Sequence, residues 1–482
     1  MSCGFHRVRD DGAPVGSLDR PPSNGRDGAS QGCRQATLQQ TSQTADAQRD
    51  VAGDEAAAPL RWGRAILFAS GDFGCNLYWQ SATLFLLFYD TDFLRIAPHA
   101  AGLIYLAGLS WDGAAGLVIG ILADRARGSG MPLRRWIRLS AVPLALSFLL
   151  VYWVPPAAGT PLLLLVLAFH LCFRTLYAAV NVPYVALLAR VARTSRERSR
   201  IAGLRMIFGA AAAALVAVGT QWIAAAGGAG SGFFLAALFY SALATIVLLW
   251  VSTARLPHRT ASTAGSRHAP IGWRLNRAFV TLNLAMIAAV IATTMVGKST
   301  LYYFKYQIHD ESAAGTALAL MGIVGVLFIP VWMAVAARWG ARIQWFASVA
   351  TAAASLALFI VSSPRTAVGM DVVLVFFQAS VSGFSFGFWA MLPDAIEHRT
   401  PTAADAQAHM FGLAALLQKV GLGIAAALVG ALLALSGYKP NVVQSAGTLL
   451  NLRAAMSLFP LVALLISAAA MAFNPLRPER AR

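Results

Sequence analysis

The chain has 482 residues, of which 57% are hydrophobic and only 12% charged, with a formal charge of +17. A water-soluble chain carries about 25% charged residues, so this composition excludes a solvated globular surface and points to a bilayer as solvent. The excess of Arg and Lys does not indicate nucleic acid, because it is divided into short clusters between apolar runs instead of forming one basic patch.

Residues 1–59 are rich in Gly, Ser, Asp, Gln and Arg and poor in large apolar side chains. Such a segment cannot bury a core, and it is expected to be a disordered cytoplasmic tail. Apolar segments long enough to cross hydrocarbon as helices, ~20 residues each, then follow near 62–92, 97–124, 133–155, 160–190, 198–226 and 231–254. A polar, basic loop over 255–275 separates them from a second set near 276–306, 312–338, 342–363, 368–396, 404–436 and 446–473, with a short tail at 474–482. The alternation of polar and apolar residues that a membrane β-barrel requires is absent. The expected fold is therefore an all-α membrane protein of twelve transmembrane helices in two pseudo-symmetric bundles, 60–254 and 276–473. Clusters such as Arg125–Arg138 and Arg190–Arg200 lie in alternate connections, whereas 155–161 and 227–232 contain no basic residue. By the positive-inside rule, both termini and the arginine-rich loops face the cytoplasm, which suits a cell inner membrane. The four cysteines (two in the tail, Cys75 and Cys172 in helices) make no disulfide framework.

Ionisable and amide side chains within hydrocarbon are costly and mark candidate sites. The first span carries Asp72 and Asn76, four residues apart and so on one face, followed by Tyr78, Trp79 and Gln80. The second carries Trp111-Asp112, with Gly116, Gly120 and Asp124 at intervals of four; the glycines are expected to admit a neighbouring helix closely. His170, Arg174 and Asn181 lie in the fourth span, Arg205 in the fifth, Lys298 in the seventh, Asp394 and Glu397 in the tenth, and Lys419 in the eleventh. Each has a structural alternative. Asp112 could neutralise Lys419 or Arg205, Arg174 and Arg205 could snorkel to the interface, and His170 could be a packed core residue. Taken together they argue for a polar cavity at mid-membrane between the halves, where two-bundle transporters hold their cargo.

The ordered motifs Gly71-Asp72-Phe73-Gly74-Cys75-Asn76, Phe88-Tyr89-Asp90-Thr91-Asp92, Trp111-Asp112, Gly120 to Arg125, Arg134-Arg135-Trp136, Asn181-Val182-Pro183-Tyr184, Arg205 to Gly209, Tyr302 to Tyr306, Met391 to Asp394 and Gly437 to Asn441 resemble the glycoside–pentoside–hexuronide:cation symporters. The resemblance covers roughly residues 62–473 and implies the major facilitator fold. It implies sugar uptake coupled to a cation, with Asp112 as a cation-site acid, Lys419 as the lysine near that site and Arg205 facing the sugar. The chain departs from the family pattern at a second cation-site acid, here Gly116, at sugar-binding acids on the first and fourth helices, here Asn76 and Asn181, and at an arginine before the Trp-Asp pair, here Leu109. With one carboxylate missing, a sodium site of the family kind loses an anionic ligand, while a lone Asp112 can still take a proton.

The function expected is secondary active transport of a sugar or glycoside by alternating access, coupled to protons or another monovalent cation through Asp112 and Lys419. Asp72, Asn76, Trp79, Asn181 and Arg205 are the expected substrate residues, and Asp124, Arg125 and Arg135 are expected to fasten the cytoplasmic helix ends. An uncoupled facilitator, a carrier of an amphipathic or lipid-like solute, and a non-transporting receptor are the alternatives. No phosphate loop, metal-protease pair or nucleophile elbow is present, so no enzyme is expected. The expected partners are a small carbohydrate and the lipid bilayer, with H+ or Na+ as coupling ion, no cofactor, no metal, no nucleic acid and a monomeric state.

Overall fold

The computed structural model describes residues 62–128, 133–191, 195–227, 231–253, 275–398 and 404–476. The expected tail 1–59, and all but the last residue of the loop 255–275, lie outside these. All the regular elements described are helices. The first half has α1 (Trp62–Asp92), α2 (Pro98–Gly128), α3 (Leu133–Val151), α4 (Gly159–Val191), α5 (Ser195–Gly227) and α6 (Ser231–Thr253). The second has α7 (Arg277–Tyr303), continued by a π-turn at Phe304–Ile308, then α8 (Glu311–Leu327), α9 (Ile329–Trp339), α10 (Ala341–Ser362), α11 (Ala367–Glu397), α12 (Ala404–Leu435), α13 (Ala446–Met456) and α14 (Leu458–Ala472). The expected spans coincide with these to within a few residues.

Among the described residues, ten helical rods are long and apolar enough to cross a membrane, with α8–α9 and α13–α14 each counting as one. The other two rods are α1, diluted by Asp72, Asn76, Gln80, Asp90 and Asp92, and α3, which begins with Arg134, Arg135 and Arg138. Helix ends follow local chemistry. Asn276, Asp310, Thr366 and Ser445 each accept from the backbone N–H three residues on, satisfying a donor that the first turn leaves open. Pro330, at the start of α9, removes a helical N–H and separates α9 from α8.

Within the first half, α1 packs on α5 and α6, α3 on α4 and α6, and α2 on α4; within the second, α7 packs on α12 and α14, and α10 on α11. The halves meet chiefly through α2 on α12 and α5 on α8. Glycines permit these approaches. A Cβ on Gly430 would stand 2.2 Å from the Pro98 carbonyl oxygen, one on Gly102 2.9 Å from Ala427 Cα, and one on Gly315 2.7 Å from the Ala217 carbonyl oxygen. The sequence reading placed such contacts at Gly116 and Gly120, and this is corrected: a Cβ at either would meet nothing within 4 Å. The close approach of α2 is one-sided, running from Pro98 to Gly113, and Gly116 and Gly120 lie beyond it.

Candidate transport site

Between the halves lies a cavity of about 820 Å³, lined from α1 and α5 on one side and from α8, α9 and α11 on the other. On α1, Asp72, Asn76 and Gln80 recur every four residues and so present one face to it. Arg205 of α5 reaches across: its Nε and Nη2 donate to the same Asp72 oxygen at 3.1 and 2.9 Å. Asn76 Nδ2 donates to the other Asp72 oxygen at 3.2 Å and to the Asp72 carbonyl at 2.9 Å. Gly209, one turn after Arg205, leaves space for these side chains; a Cβ there would lie 3.4 Å from Asn76 Nδ2. The facing wall contributes Gln378, Ser382 and Ser385, with Trp389 and Phe386 beside them. The lining runs from the helix midpoints toward the end where Arg138, Arg277, Arg338 and Arg342 cluster.

The opposite end is closed by a cluster around Asp92, the last residue of α1, which is fully buried. Its carboxylate accepts from Tyr306 and Tyr438 hydroxyls, each at 2.6 Å, and from Lys305 Nζ at 3.0 Å. Lys305 also donates to Asn441 Oδ1 at 2.8 Å, and Asn441 Nδ2 returns a hydrogen bond to the Asp92 carbonyl at 2.9 Å. Thr91 and Tyr302 share a 2.7 Å hydroxyl contact, and Lys298 of α7 donates to the Thr83 carbonyl of α1. Every one of these contacts except Lys305–Asn441 joins the first half to the second. Asn441 sits in the left-handed region at φ 58°, where asparagine is tolerated.

Asp112, 1% exposed, lies 2.8 Å from Lys419 Nζ, which is 29% exposed, tying α2 to α12. The contact is short yet not aligned as a hydrogen bond, so it acts as charge against charge. A second buried pair was not anticipated. Asp90 and His170 are 0% and 1% exposed and stand 3.4 Å apart, too long for a strong hydrogen bond. Arg174, also buried, does not snorkel: its guanidinium lies 5.5 Å from the Trp79 ring and 5.9 Å from that of Tyr105.

The expected substrate residues thus divide. Asp72, Asn76 and Arg205 meet at the cavity. Trp79 and Asn181 are not brought to its wall: Trp79 is turned toward α4, where it stacks on Tyr177 at 5.9 Å, and Asn181 follows Tyr177 by one turn. The side chains of Asp124 and Arg125 lie outside the described residues, and Arg135 is exposed at the start of α3. Residues that sequence reasoning missed as site members are Asp90, Asp92, Lys305, Tyr306, Tyr438 and Asn441. Their signal was present in the motifs at 88–92, 302–306 and 437–441, which converge in space on one carboxylate.

Residues 67–477 match the family model described as MFS/sugar transport protein. The isoprimeverose transporter of Lactiplantibacillus pentosus is 25% identical, the alignment covering 86% of this chain and 88% of that protein. A putative sulfoquinovose importer of Escherichia coli (strain K12) is also 25% identical, over 85% and 89%. The crystal structure of the nucleoside transporter NupG superposes with a TM-score of 0.64 at 15% identity, covering 86% of this chain and 100% of that one.

Proposed function

This chain belongs to the MFS/sugar transport family, as a sugar–cation symporter of the glycoside–pentoside–hexuronide kind, and from that premise we propose that it carries a sugar or glycoside through the cavity at Asp72, Asn76 and Arg205, coupled to protons at Asp112–Lys419. It is an integral multi-pass membrane transporter and not an enzyme. The carrying observation is the asymmetry between the two ends. Polar side chains wall a cavity that extends toward the arginine-rich end, while the Asp92 cluster ties the halves together at the other. That is one state of an alternating-access cycle.

The arginines at this end support a cytoplasmic side there; in this reading the state is inward-facing, both termini are cytoplasmic and the membrane is the inner one. The two six-helix bundles, 60–254 and 276–473, rock about the α2–α12 and α5–α8 seams, and the working unit is a monomer. Asp112 is the coupling group because it is a buried acid whose ion-pair partner among the described residues, Lys419, belongs to the other half. Rocking changes their separation, so proton occupancy and conformation are linked. Uptake of cargo into proteoliposomes should acidify the lumen, and Asp112→Asn should abolish that signal while retaining exchange of labelled for unlabelled cargo. Undiminished proton movement in Asp112→Asn would refute the assignment.

A further inference from the structure

The charge balance of the cavity restricts the cargo. Among the described residues, Asp72 and Arg205 are the ionisable ones lining it, and they are bonded to each other. Two guanidinium nitrogens lie within 3.1 Å of one carboxylate oxygen, and Asn76 covers the other oxygen at 3.2 Å. A carboxylate or sulfonate brought to Arg205 would also approach Asp72, so repulsion offsets part of the attraction. The anion would still lose its hydration. An uncharged polyol meets no such conflict. Gln80, Gln378, Ser382 and Ser385 offer both donors and acceptors, which matches hydroxyls that are themselves both.

The walls also differ. The α1–α5 side carries the ion pair and two amides, whereas the α8–α11 side sets Trp389 and Phe386 beside Val326, Ile329 and Val381. Trp389 lies parallel to Phe411 at 6.5 Å between ring centroids and is 45% exposed, leaving ring surface free. We propose that this transporter selects uncharged glycosides over anionic ones, with the hydroxyl-rich ring against Asp72, Asn76 and Arg205 and the less polar group against Trp389 and Phe386. The inference deepens the reading above that this cavity is the cargo site, and rests on it. It separates this chain from a relative named as a sulfoquinovose importer, since that sugar carries a sulfonate. The 820 Å³ volume has room for a ring and its substituent, within the usual range of about 300–1,000 Å³ for ligand pockets.

The test uses purified full-length protein and measures affinity by ligand-induced thermal stabilisation for matched pairs: methyl and phenyl glucosides and galactosides against the corresponding glucuronides and galacturonides. Each pair differs only in a hydroxymethyl or carboxylate group. The neutral member is expected to bind at least about tenfold more tightly, and phenyl glycosides more tightly than methyl, an advantage lost in Trp389→Ala. Asp72→Asn frees Arg205 and should reverse the order within each pair. If that variant does not fold, Asp72→Asn combined with Arg205→Gln removes both charges and should keep the neutral preference. Tighter binding of the anionic members by the unaltered protein overturns the inference but leaves the glycoside reading standing. Binding of no glycoside of either charge overturns both.

Discussion

Replacing Asp92 with Asn should unlock the closed end. The carboxylate receives two hydroxyl donors at 2.6 Å and an ammonium at 3.0 Å, all from the second half, while Asp92 itself belongs to the first. Hydrogen bonds to a charged group contribute about 1.5–3 kcal/mol each. Asparagine keeps one acceptor oxygen, and Lys305 keeps Asn441 at 2.8 Å and Glu311 at 3.9 Å, so the net loss is about 2–4 kcal/mol. Because these contacts exist only when this end is shut, the whole loss falls on the closed state. The closed-to-open ratio should therefore fall roughly 30- to 700-fold. Arg95 and Val443 are exposed at this end, one in each half, and spin labels there would report opening as a longer distance population. An unchanged distance distribution in Asp92→Asn, with the label pair shown to respond to cargo, would refute the view that this carboxylate latches the halves.

Three further outcomes follow. His170→Ala removes the polar side chain nearest the buried Asp90 carboxyl, 3.4 Å away, which should cost about 1–3 kcal/mol and lower the thermal midpoint by several degrees; Asp90→Asn in the same chain should restore part of it, and absence of rescue would show that the two side chains do not act as a pair. Gly430→Ala must push α2 from α12, since its Cβ would stand 2.2 Å from a backbone oxygen; a cost of about 1–3 kcal/mol is expected in thermal unfolding, and Gly116→Ala, with open space, should cost none. At the start of α8, the Ser312 hydroxyl and the Ala313 N–H hold the Asp310 carboxyl below its ordinary value. Its stabilising contribution is therefore complete above about pH 4 and is lost as pH falls through the depressed value. Asp310→Ala should remove about 1 kcal/mol at neutral pH and nothing in acid, as read from unfolding midpoints in a pH series.

Much of this molecule was legible in its one-dimensional record. Apolar runs set the helices to within a few residues, and four-residue spacing put Asp72 and Asn76 on one face. Coulomb cost alone marked Asp112, Arg205 and Lys419 as groups needing partners. What periodicity does not carry is which helix faces which. The Trp79 ring lies about 60° around α1 from Asn76, enough to turn it from the cavity to Tyr177. Gly116 and Gly102 are equally helical glycines, yet only Gly102 meets a neighbour, because that depends on where α12 crosses. Asp92 was passed over for a related reason: it stands at a helix end, where an acid in a sequence reads as solvated, and its three donors come from positions more than 200 residues away.

The joint between α8 and α9 gives the cavity wall a bend of its own. Pro330 has no N–H to give the Val326 carbonyl, and Val326 and Ile329 are both lining residues. One rung of the backbone ladder is thus missing at the level of the cavity, in a rod that otherwise runs from Glu311 to Trp339. The segment beyond Phe328 is therefore tied to α8 by fewer backbone hydrogen bonds than an unbroken helix would supply, at the level where this wall meets the cavity.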